Sequence, residues 1–381
     1  MKITGIICEY NPLHLGHKKQ LDHIRAIDPE GGIVCLMSGN FVQRGMPAIF
    51  SKSLRAEAAV KCGADLVLEL PITAALSSAE GFADSGVSIL SGFCHRLCFG
   101  AECADKEALV STAKALLSND FSVRLREELD KGQSFPAARQ KALESMGIDG
   151  SLVTSPNNIL AVEYCKAILA QNSAMEPMPI LRQGDYHDKT PDAENPSATS
   201  LRQALNTGAD WQRFVPAEAV SCFENAAVHT LQAGEQALLY RLRTMTDGEF
   251  EALPYGSEGL WRKLMHAARK ESTLDGILEA TKSKRYTRTR LDRMVMCAFL
   301  GITAEMIASP APYVRALAFN DRGREILKKA RLSGAFPNIG EKQEHPYQQL
   351  EDRSGDLYGL FCKTGPEAPG SEAKQRISFQ K

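Results

Sequence analysis

The sequence has no excess of either charge, no long hydrophobic run and no paired cysteine pattern, and each absence excludes a class of protein. It contains 45 Lys and Arg against 46 Asp and Glu, for a net charge of −1. Any nucleic-acid surface must therefore be a local patch and not a general basic character. The apolar run after Lys2 ends at Glu9, too short for a signal peptide, and no apolar stretch approaches the roughly 18 residues of a membrane span. We expect a cytoplasmic protein without a membrane segment.

The 10 cysteines are scattered through apolar segments, so a disulfide framework is not expected. Cys94, His95, Cys98 and Cys103 lie close together, but their spacing has no distant matching pair and is a poor zinc pattern. Buried strand positions explain them better. We assign no metal ligands from the sequence.

Apolar runs and helical patterns alternate along the first half of the chain. Buried strands are predicted at 3–8, 32–38, 64–70, 96–100 and 179–182, with helices from residue 16 or 17 onward and at 54–62, 80–90 and 159–170. This alternation predicts an α/β fold with a Rossmann-like, doubly wound parallel sheet.

Three regions are expected from the change in pattern along the 381 residues. Residues 1–205 form the Rossmann-like domain, with a helical insertion at about 104–147. Residues 206–362 form a mainly α-helical domain, with helices at 217–232, 235–244, 259–268 and 274–280. Residues 363–381 are polar and rich in Pro and Gly, which predicts a disordered tail.

The segment from Asn11 to His17 joins the first strand to the first helix. A helix N-terminus attracts phosphate, and Gly16 lets a nucleotide approach the backbone closely. His14 and His17 can donate hydrogen bonds to phosphate oxygens there. Either histidine alone would be an ordinary loop or helix-start residue, but the pair around a glycine favours nucleotide chemistry.

Polar residues at two later points of the chain favour the same interpretation. Ser197, Thr199 and Arg202 open a helix, where two hydroxyls and a guanidinium suit the β- and γ-phosphates. A plain N-cap is the alternative, since Ser and Thr are common there. Asn157 and Asn158 also stand at a helix start, either as a cap or as an amide near the nucleotide.

A dense basic run lies in the second half, where six of the residues 282–293 are Lys or Arg and one is acidic. Such a run with an interleaved tyrosine suits an RNA backbone, and the alternative is a solvated helix start. We predict RNA contacts by Lys282, Lys284, Arg285, Tyr286, Arg288, Arg290 and Arg293.

The motifs resemble those of a known family. His14-x-Gly16-His17 resembles the signature of the HIGH-type nucleotidyltransferase superfamily, and Ser197-x-Thr199-x-x-Arg202 resembles part of its second signature. Two longer blocks, residues 38–45 and 63–71, resemble the bacterial tRNA(Met) cytidine acetate ligase family, and the similarity extends to about residue 362.

The resemblance implies an ATP-dependent ligase that activates acetate as acetyl-adenylate and transfers the acetyl group to N4 of the wobble cytidine of elongator tRNA(Met). Mg²⁺ is expected with ATP, although no acidic pair identifies its ligands. Two alternatives stay open: a nucleotidyltransferase that adenylylates a small metabolite, and a catalytically silent RNA-binding scaffold. The oligomeric state is not indicated.

The resemblance also implies roles for particular residues. His14 and His17 are expected to be catalytic, and Ser38, Gly39 and Asn40 to form the acetate or cytidine pocket. ATP is expected to contact a set made of the first turn and six downstream positions: Ile7, Cys8, Glu9, Tyr10, Asn11, Pro12, Leu13, His14, Leu15, Gly16, His17, Lys18, Lys19, Gln20, Gly100, Asn157, Arg182, Ser197, Thr199 and Arg202.

Overall fold

The structure is a computed structural model that describes residues 1–182, 196–283, 285–332 and 346–380. Its strands are β1 (Ile3–Cys8), β2 (Gly32–Ser38), β3 (Phe41–Val42), β4 (Met46–Pro47), β5 (Leu66–Leu70), β6 (Arg96–Ala101), β7 (Glu176–Leu181), β8 (Ala316–Phe319) and β9 (Ser378–Phe379).

Helices connect these strands and form most of the second half. They are α1 (Leu15–Ile27), α2 (Lys52–Lys61), α3 (Ile72–Ala75), α4 (Ala79–Ser91), α5 (Lys106–Leu116), α6 (Asn119–Asp130), α7 (Phe135–Ser145), α8 (Pro156–Ala170), α9 (Ala198–Thr207), α10 (Ala217–Phe223), α11 (Glu235–Thr244), α12 (Asp247–Glu251), α13 (Leu260–Ala268), α14 (Leu274–Thr281), α15 (Arg288–Leu300), α16 (Ala304–Ala308), α17 (Asp321–Leu332), α18 (Pro346–Tyr358) and α19 (Ser371–Lys374). No helix in the described ranges is long and apolar enough to cross a bilayer.

The main sheet has the strand order β7-β6-β1-β2-β5-β8-β9. The first five strands of that order are parallel, as in a doubly wound fold. From β1 the chain first proceeds to β2 and β5 on one side and later to β6 and β7 on the other. The order therefore reverses between β1 and β6, which is the position where open α/β sheets bind ligands.

Both faces of the parallel sheet are buried, because alternate residues of each strand enter different cores. Ile3 and Ile7 of β1 pack into one apolar cluster, and Ile6 packs into the cluster on the opposite face. Side chains of a strand alternate in this way by geometry, so a strand covered on both faces is apolar throughout. The predicted doubly wound sheet is confirmed.

Element boundaries in the first half agree closely with the sequence. The first two predicted strands match β1 and β2 residue for residue, and the predicted insertion at 104–147 contains α5, α6 and α7. Helix α2 ends just before Gly63, whose φ of +110° is a conformation that glycine adopts easily. Other ends differ by one to three residues, as expected where elements fray.

The second half is mainly helical, as predicted, and it also adds two short strands that the sequence prediction did not include. Strand β8 pairs antiparallel with β5, and β9 pairs with β8 at the sheet edge. At two to four residues these strands are too short for a periodic signal, and their partners lie far away in sequence. The predicted helix at 217–232 is also too long, since α10 ends at Phe223.

Part of the tail predicted to be disordered at 363–381 is ordered instead, because Ser371–Lys374 form α19 and Ser378–Phe379 form β9. Glu372 of α19 is buried and pairs with Lys52 at 2.8 Å and with Arg315 at 3.0 Å. Lys52 also pairs with the buried Glu69 at 2.8 Å. Polar composition predicted disorder because it does not register the specific ion pairs and the β8–β9 pairing that attach this segment.

Candidate active site

A large cavity opens at the carboxyl ends of β1 and β6, where the strand order reverses. Its volume is about 720 Å³, a size typical of sites for small molecules and cofactors. The first turn, the ends of β6 and β7, and the starts of α8 and α9 line one part of it. Thr289 and Arg293 of α15 line another part, so both halves of the chain contribute.

The two histidines of the first turn lie against each other at the start of α1. Their rings stack with centroids 3.7 Å apart. The His14 Nδ1 accepts a hydrogen bond from the Gly16 N–H at 3.1 Å, and the His17 Nδ1 accepts one from the His14 N–H at 3.3 Å. A Cβ on Gly16 would lie 3.0 Å from the His14 ring, so glycine leaves room for this arrangement.

Burial determines the charge of both rings, and these hydrogen bonds determine which nitrogen carries the proton. Burial lowers the pKa of His14 well below its usual value of 6.5, with smaller contributions from His17 and the nearby arginines. Burial and Arg182 lower the pKa of His17 to about 3. Both imidazoles are therefore neutral at pH 7, and since each Nδ1 accepts a backbone N–H, each proton is on Nε2.

The Nε2–H of His14 is buried and has no hydrogen-bond partner within the part of the chain that the structure describes. A buried donor left in this state costs about 1–3 kcal/mol. It lines the cavity, so a ligand oxygen there would satisfy it. The turn thus supplies fixed, uncharged donors to an anionic ligand.

The start of α9 lies beside this turn. Ser197 is the N-cap, and its Oγ accepts a hydrogen bond from the Ser200 N–H at 3.1 Å. Arg202 donates to the Asn11 carbonyl at 2.8 Å and to the Thr199 Oγ1 at 3.1 Å. One guanidinium therefore connects the histidine turn to the hydroxyls of α9, and both sequence motifs line the same cavity.

A second arginine, Arg182, follows the end of β7. It donates to the Asn157 Oδ1 at 3.0 Å, and Asn157 in turn donates to Glu102 at 2.6 Å. Asn158 is different, because its side chain is buried and accepts a hydrogen bond from the Cys103 N–H at 2.9 Å. Asn157 is thus the asparagine that lines the cavity, and Asn158 is structural.

The sequence motifs did not identify every charged residue of the cavity. Arg44, which follows β3, lines it together with Arg293. Burial lowers the pKa of Arg202 to about 10, with Glu9 opposing the decrease and Arg44 contributing a smaller part of it. The pKa of Arg182 is lowered by burial and by Arg44 as well. This cluster of positive charge suits a polyanion such as a triphosphate.

Most of the positions expected to contact ATP line the cavity. They are Ile7, Cys8, Glu9, Tyr10, Asn11, His14, Gly16, His17, Lys19, Gln20, Gly100, Asn157, Arg182, Ser197, Thr199 and Arg202. Pro12, Leu13, Leu15 and Lys18 are not part of its lining. They support the turn instead: Leu13 is fully buried, and Lys18 pairs with Asp22.

The expected acetate or cytidine pocket at Ser38, Gly39 and Asn40 does not line this cavity. The Ser38 carbonyl accepts a hydrogen bond from Arg55 at 3.1 Å, and the Asn40 Oδ1 accepts one from the Lys52 N–H at 2.9 Å. These residues end β2 in a buried polar network. A location at the end of a strand predicts that a residue lies near the cleft. It does not predict whether the side chain points into the cleft or away from it.

The basic run is placed partly on the surface and partly in the cavity wall. Arg293 is buried, with its guanidinium 5.2 Å from the Tyr255 ring centroid. Carboxylates accompany the other residues: Arg285 and Tyr286 contact Glu258, Lys282 contacts Glu279, and Arg288 contacts Asp275, Glu279 and Asp292. Arg290 donates to the Tyr255 carbonyl at 2.6 Å. Lys284 lies outside the described residues.

The cysteine group at 94–103 is structural, as the sequence indicated. Cys94 and Cys98 are buried in the two cores on opposite faces of the sheet. The His95 Nδ1 accepts a hydrogen bond from the Ile3 N–H at 3.1 Å. Cys94, His95 and Cys98 therefore have structural roles in the sheet and its cores.

Comparison with known protein families identifies the class of protein to which this chain belongs. A family model described as HIGH Nucleotidyl Transferase matches residues 1–372. The chain therefore belongs to the HIGH nucleotidyl transferases, whose signature it carries in the turn at His14 and His17.

The particular family follows from individual relatives. The chain is 37% identical over 363 residues to the tRNA(Met) cytidine acetate ligase of Clostridium perfringens, covering 90% of each chain. It is 34% identical to the ligase of the same name from Acetivibrio thermocellus, covering 99% of each. The chain belongs to the tRNA(Met) cytidine acetate ligase family, which confirms the resemblance found in the sequence.

Solved structures support the same assignment. The apo crystal structure of Thermotoga maritima TmcAL superposes with a TM-score of 0.91 at 29% identity, covering 100% of this chain and 99% of that one. The same protein bound to alpha-thio ATP gives a TM-score of 0.88 at 28% identity, again covering 100% and 99%. The fold of this chain is thus also that of a protein solved with an ATP analogue.

Proposed function

We propose that this protein is an ATP-dependent ligase that acetylates the wobble cytidine of elongator tRNA(Met) in the cytoplasm. The observation that carries the proposal is the cavity in which His14, His17 and Arg202 converge. The names of the relatives supply the substrate class, tRNA(Met) cytidine and acetate. The ATP analogue in the Thermotoga structure supports ATP as co-substrate.

The first step forms acetyl-adenylate. ATP binds with its phosphates between the histidine turn and the start of α9, and an acetate oxygen attacks the α-phosphate. The bond to the β-phosphate oxygen breaks and pyrophosphate leaves. The Nε2–H donors of His14 and His17 and the guanidinium of Arg202 stabilise the charge that builds up, an effect worth several kcal/mol when donors are fixed in advance.

The second step transfers the acetyl group. The N4 amine of the cytidine, unstacked from its loop, attacks the acetyl carbonyl, and the bond to the AMP oxygen breaks. The product is N4-acetylcytidine, and the nitrogen loses one proton. We assign no protein general base, since positioning and charge stabilisation account for the expected gain.

Mg²⁺ fits this site as a companion of ATP. Glu9 is the one carboxylate among the described residues that line the cavity, and one of its oxygens accepts the Gln43 N–H at 2.9 Å. Mg²⁺ is commonly held by phosphate oxygens and water with few protein ligands. It would neutralise phosphate charge, while the arginines orient the chain of phosphates.

The basic run is proposed to bind tRNA near the mouth of this cavity. Arg285 and Arg290 belong to the part of the run that remains at least partly exposed, and α15 continues from there into the cavity wall at Arg293. A tRNA held along this path would have its anticodon loop close to the acetyl-adenylate. Arg293, the buried arginine of this run, would face the reacting groups and not the open surface.

The test incubates the protein with ATP, labelled acetate and unmodified tRNA(Met). Label in acid-precipitable RNA supports the ligase. Label confined to a small adenylate would favour an enzyme acting on metabolites, and no ATP consumption would favour a silent RNA-binding scaffold. His17→Ala should abolish labelling while tRNA still binds, whereas His266→Ala, an exposed histidine on α13, serves as the matched control.

A further inference from the structure

A second cluster of chemically active side chains lies away from the cavity, where the segment after α10 meets the C-terminal segment. A ring nitrogen of His229, the thiol of Cys362 and a carboxylate oxygen of Glu367 all lie within 4.8 Å of one another. Three different types of metal ligand therefore meet at one point. No sequence motif predicts this cluster, because 132 residues lie between His229 and Cys362.

The backbone holds the first two ligands in place independently of any ion. His229 and Cys362 form an antiparallel bridge. On one side of it the Lys363 N–H donates to the Val228 carbonyl at 2.8 Å, and the His229 N–H donates to the Ile49 carbonyl at 2.9 Å. Metal sites need ligands whose positions are fixed by the fold, and this pair satisfies that condition.

A tight turn brings the third ligand back to the first two. The Gly365 N–H donates to the Cys362 carbonyl at 3.2 Å, and Gly365 has a φ of +121°, which favours glycine. The Glu367 N–H then donates to the Gly359 carbonyl at 3.1 Å. The Cys-x-x-x-x-Glu segment is thus folded so that its thiol and carboxylate lie on the same side as the imidazole.

The imidazole itself is incompletely satisfied by the protein. His229 is 3% exposed, and its ring stacks on Tyr358 with centroids 3.9 Å apart. Its Nε2 lies 3.1 Å from the Glu367 carboxylate, but its Nδ1 is buried without a hydrogen-bond partner among the described residues. The nitrogen that faces the carboxylate is thus Nε2, and an ion bound between the two groups would replace this contact.

We propose that His229, Cys362 and Glu367 bind a divalent transition-metal ion, with Zn²⁺ as the ion that fits their chemistry. Zn²⁺ accepts thiolate, imidazole and carboxylate ligands in a tetrahedral site. Water would fill the fourth position, since the Glu367 side chain is 43% exposed. Binding requires loss of the thiol proton, so it should release a proton and weaken as the pH falls.

The ion would fasten the C-terminal segment to the rest of the molecule. Residues after the cluster carry Glu372 to its partner Lys52 and form β9 at the sheet edge. A ligand that binds only the folded state stabilises it by mass action. The site is therefore structural, separate from the cavity, and independent of the proposed catalytic function.

Co²⁺ is a suitable probe because a cobalt–thiolate bond absorbs in the near ultraviolet and a tetrahedral cobalt site absorbs in the visible. The full chain, treated with EDTA, should bind one equivalent of Co²⁺ with both features and lose them when one equivalent of Zn²⁺ is added. Cys362→Ser should remove the thiolate band, and Cys103→Ser, at a cysteine outside the cluster, should retain it. Absence of the band in the unaltered protein, or its retention in Cys362→Ser, would overturn the proposal.

A second variant guards against misfolding as the explanation. Glu367→Gln alters an exposed side chain, so the metal-free variant should unfold at the same temperature as the metal-free parent. Its affinity for Co²⁺ should nevertheless fall at least 10- to 100-fold, because the loss of an outer-shell partner alone costs this much and Glu367 is a direct ligand. An unchanged affinity would mean that the His229–Glu367 contact is an ion pair only. Adenylate formation should be the same in all these variants, which separates this test from that of the catalytic proposal.

Discussion

Replacement of Arg202 tests whether the histidine turn and α9 bind the same triphosphate. Its guanidinium donates to the Asn11 carbonyl at 2.8 Å and to Thr199 at 3.1 Å, and it lines the cavity. Arg202→Ala should remove one charge-assisted contact with a phosphate, worth about 1.5–3 kcal/mol. At 1.36 kcal/mol per tenfold change, ATP affinity should fall about 10- to 150-fold.

The assay is calorimetric titration of ATP without acetate or tRNA, which isolates nucleotide binding from the later steps. Arg202→Lys should recover only part of the affinity, because an ammonium group cannot reach carbonyl, hydroxyl and phosphate with one planar fork. Arg213→Ala is the matched control, since the Arg213 side chain, between α9 and α10, is 70% exposed and does not line the cavity. ATP affinity within twofold of the parent in Arg202→Ala would refute the shared phosphate site.

The remaining predictions concern the titration of His17, the basic run and the buried ion-pair network. Because the pKa of His17 is about 3 when folded and 6.5 as a free side chain, the unfolded state binds the extra proton between these values, and stability must fall as the pH falls. Between pH 7.5 and pH 5 this residue should lower the free energy of unfolding by about 2 kcal/mol, measured by urea unfolding. His17→Gln should lack this part of the pH dependence. The same pH dependence in His17→Gln and in the parent would contradict the assigned pKa. Arg285→Ala should reduce the slope of log tRNA affinity against log salt concentration by about 1. Arg288→Ala should reduce this slope less, because three carboxylates already surround its guanidinium. The reverse order of the two effects would remove this run from the tRNA site. Lys52→Met should destabilise the protein by about 3–5 kcal/mol in urea unfolding, because it removes the buried cation shared by Glu69 and Glu372 and leaves both carboxylates to Arg315 alone. Glu372→Gln should cost less, and equal costs would contradict the network.

The local part of the site was predictable from sequence because it is contiguous. A β-branched strand, a turn with Asn11 and Pro12, and a helix beginning near Gly16 are all encoded within neighbouring residues, and the structure has each of them there. The start of α9 was predictable for the same reason, since Ser197 is both a helix cap and part of a recognisable motif.

The rest of the site depends on contacts between distant segments. Arg44 lies in the turn of the β3–β4 hairpin, and Arg293 belongs to a helix whose sequence is typical of a charged surface helix. A Cβ on Gly45 would lie 2.3 Å from the Arg293 backbone nitrogen, so the hairpin and α15 pack backbone against backbone. Neither arginine carries a local signal for the cavity, because only this packing brings them to it.

Strand β8 and the tail were missed for related reasons. The pairing of Leu66 with Phe319 joins positions far apart in sequence, and no periodicity within a four-residue strand reveals its partner. The residues around Glu372 have the polar composition of a solvated tail. The contacts of Glu372 with Lys52 and Arg315 explain why it is buried. Composition predicts disorder from a lack of apolar residues and does not register a buried ion-pair network.

The central claim is that this cavity activates acetate on ATP, and isotope exchange between pyrophosphate and ATP tests it most directly. Formation of acetyl-adenylate is reversible, so labelled pyrophosphate should enter ATP when acetate is present, without any tRNA. The account predicts exchange that requires acetate and that is lost in His17→Ala. Exchange that proceeds equally without acetate, or that His17→Ala leaves unchanged, would contradict it.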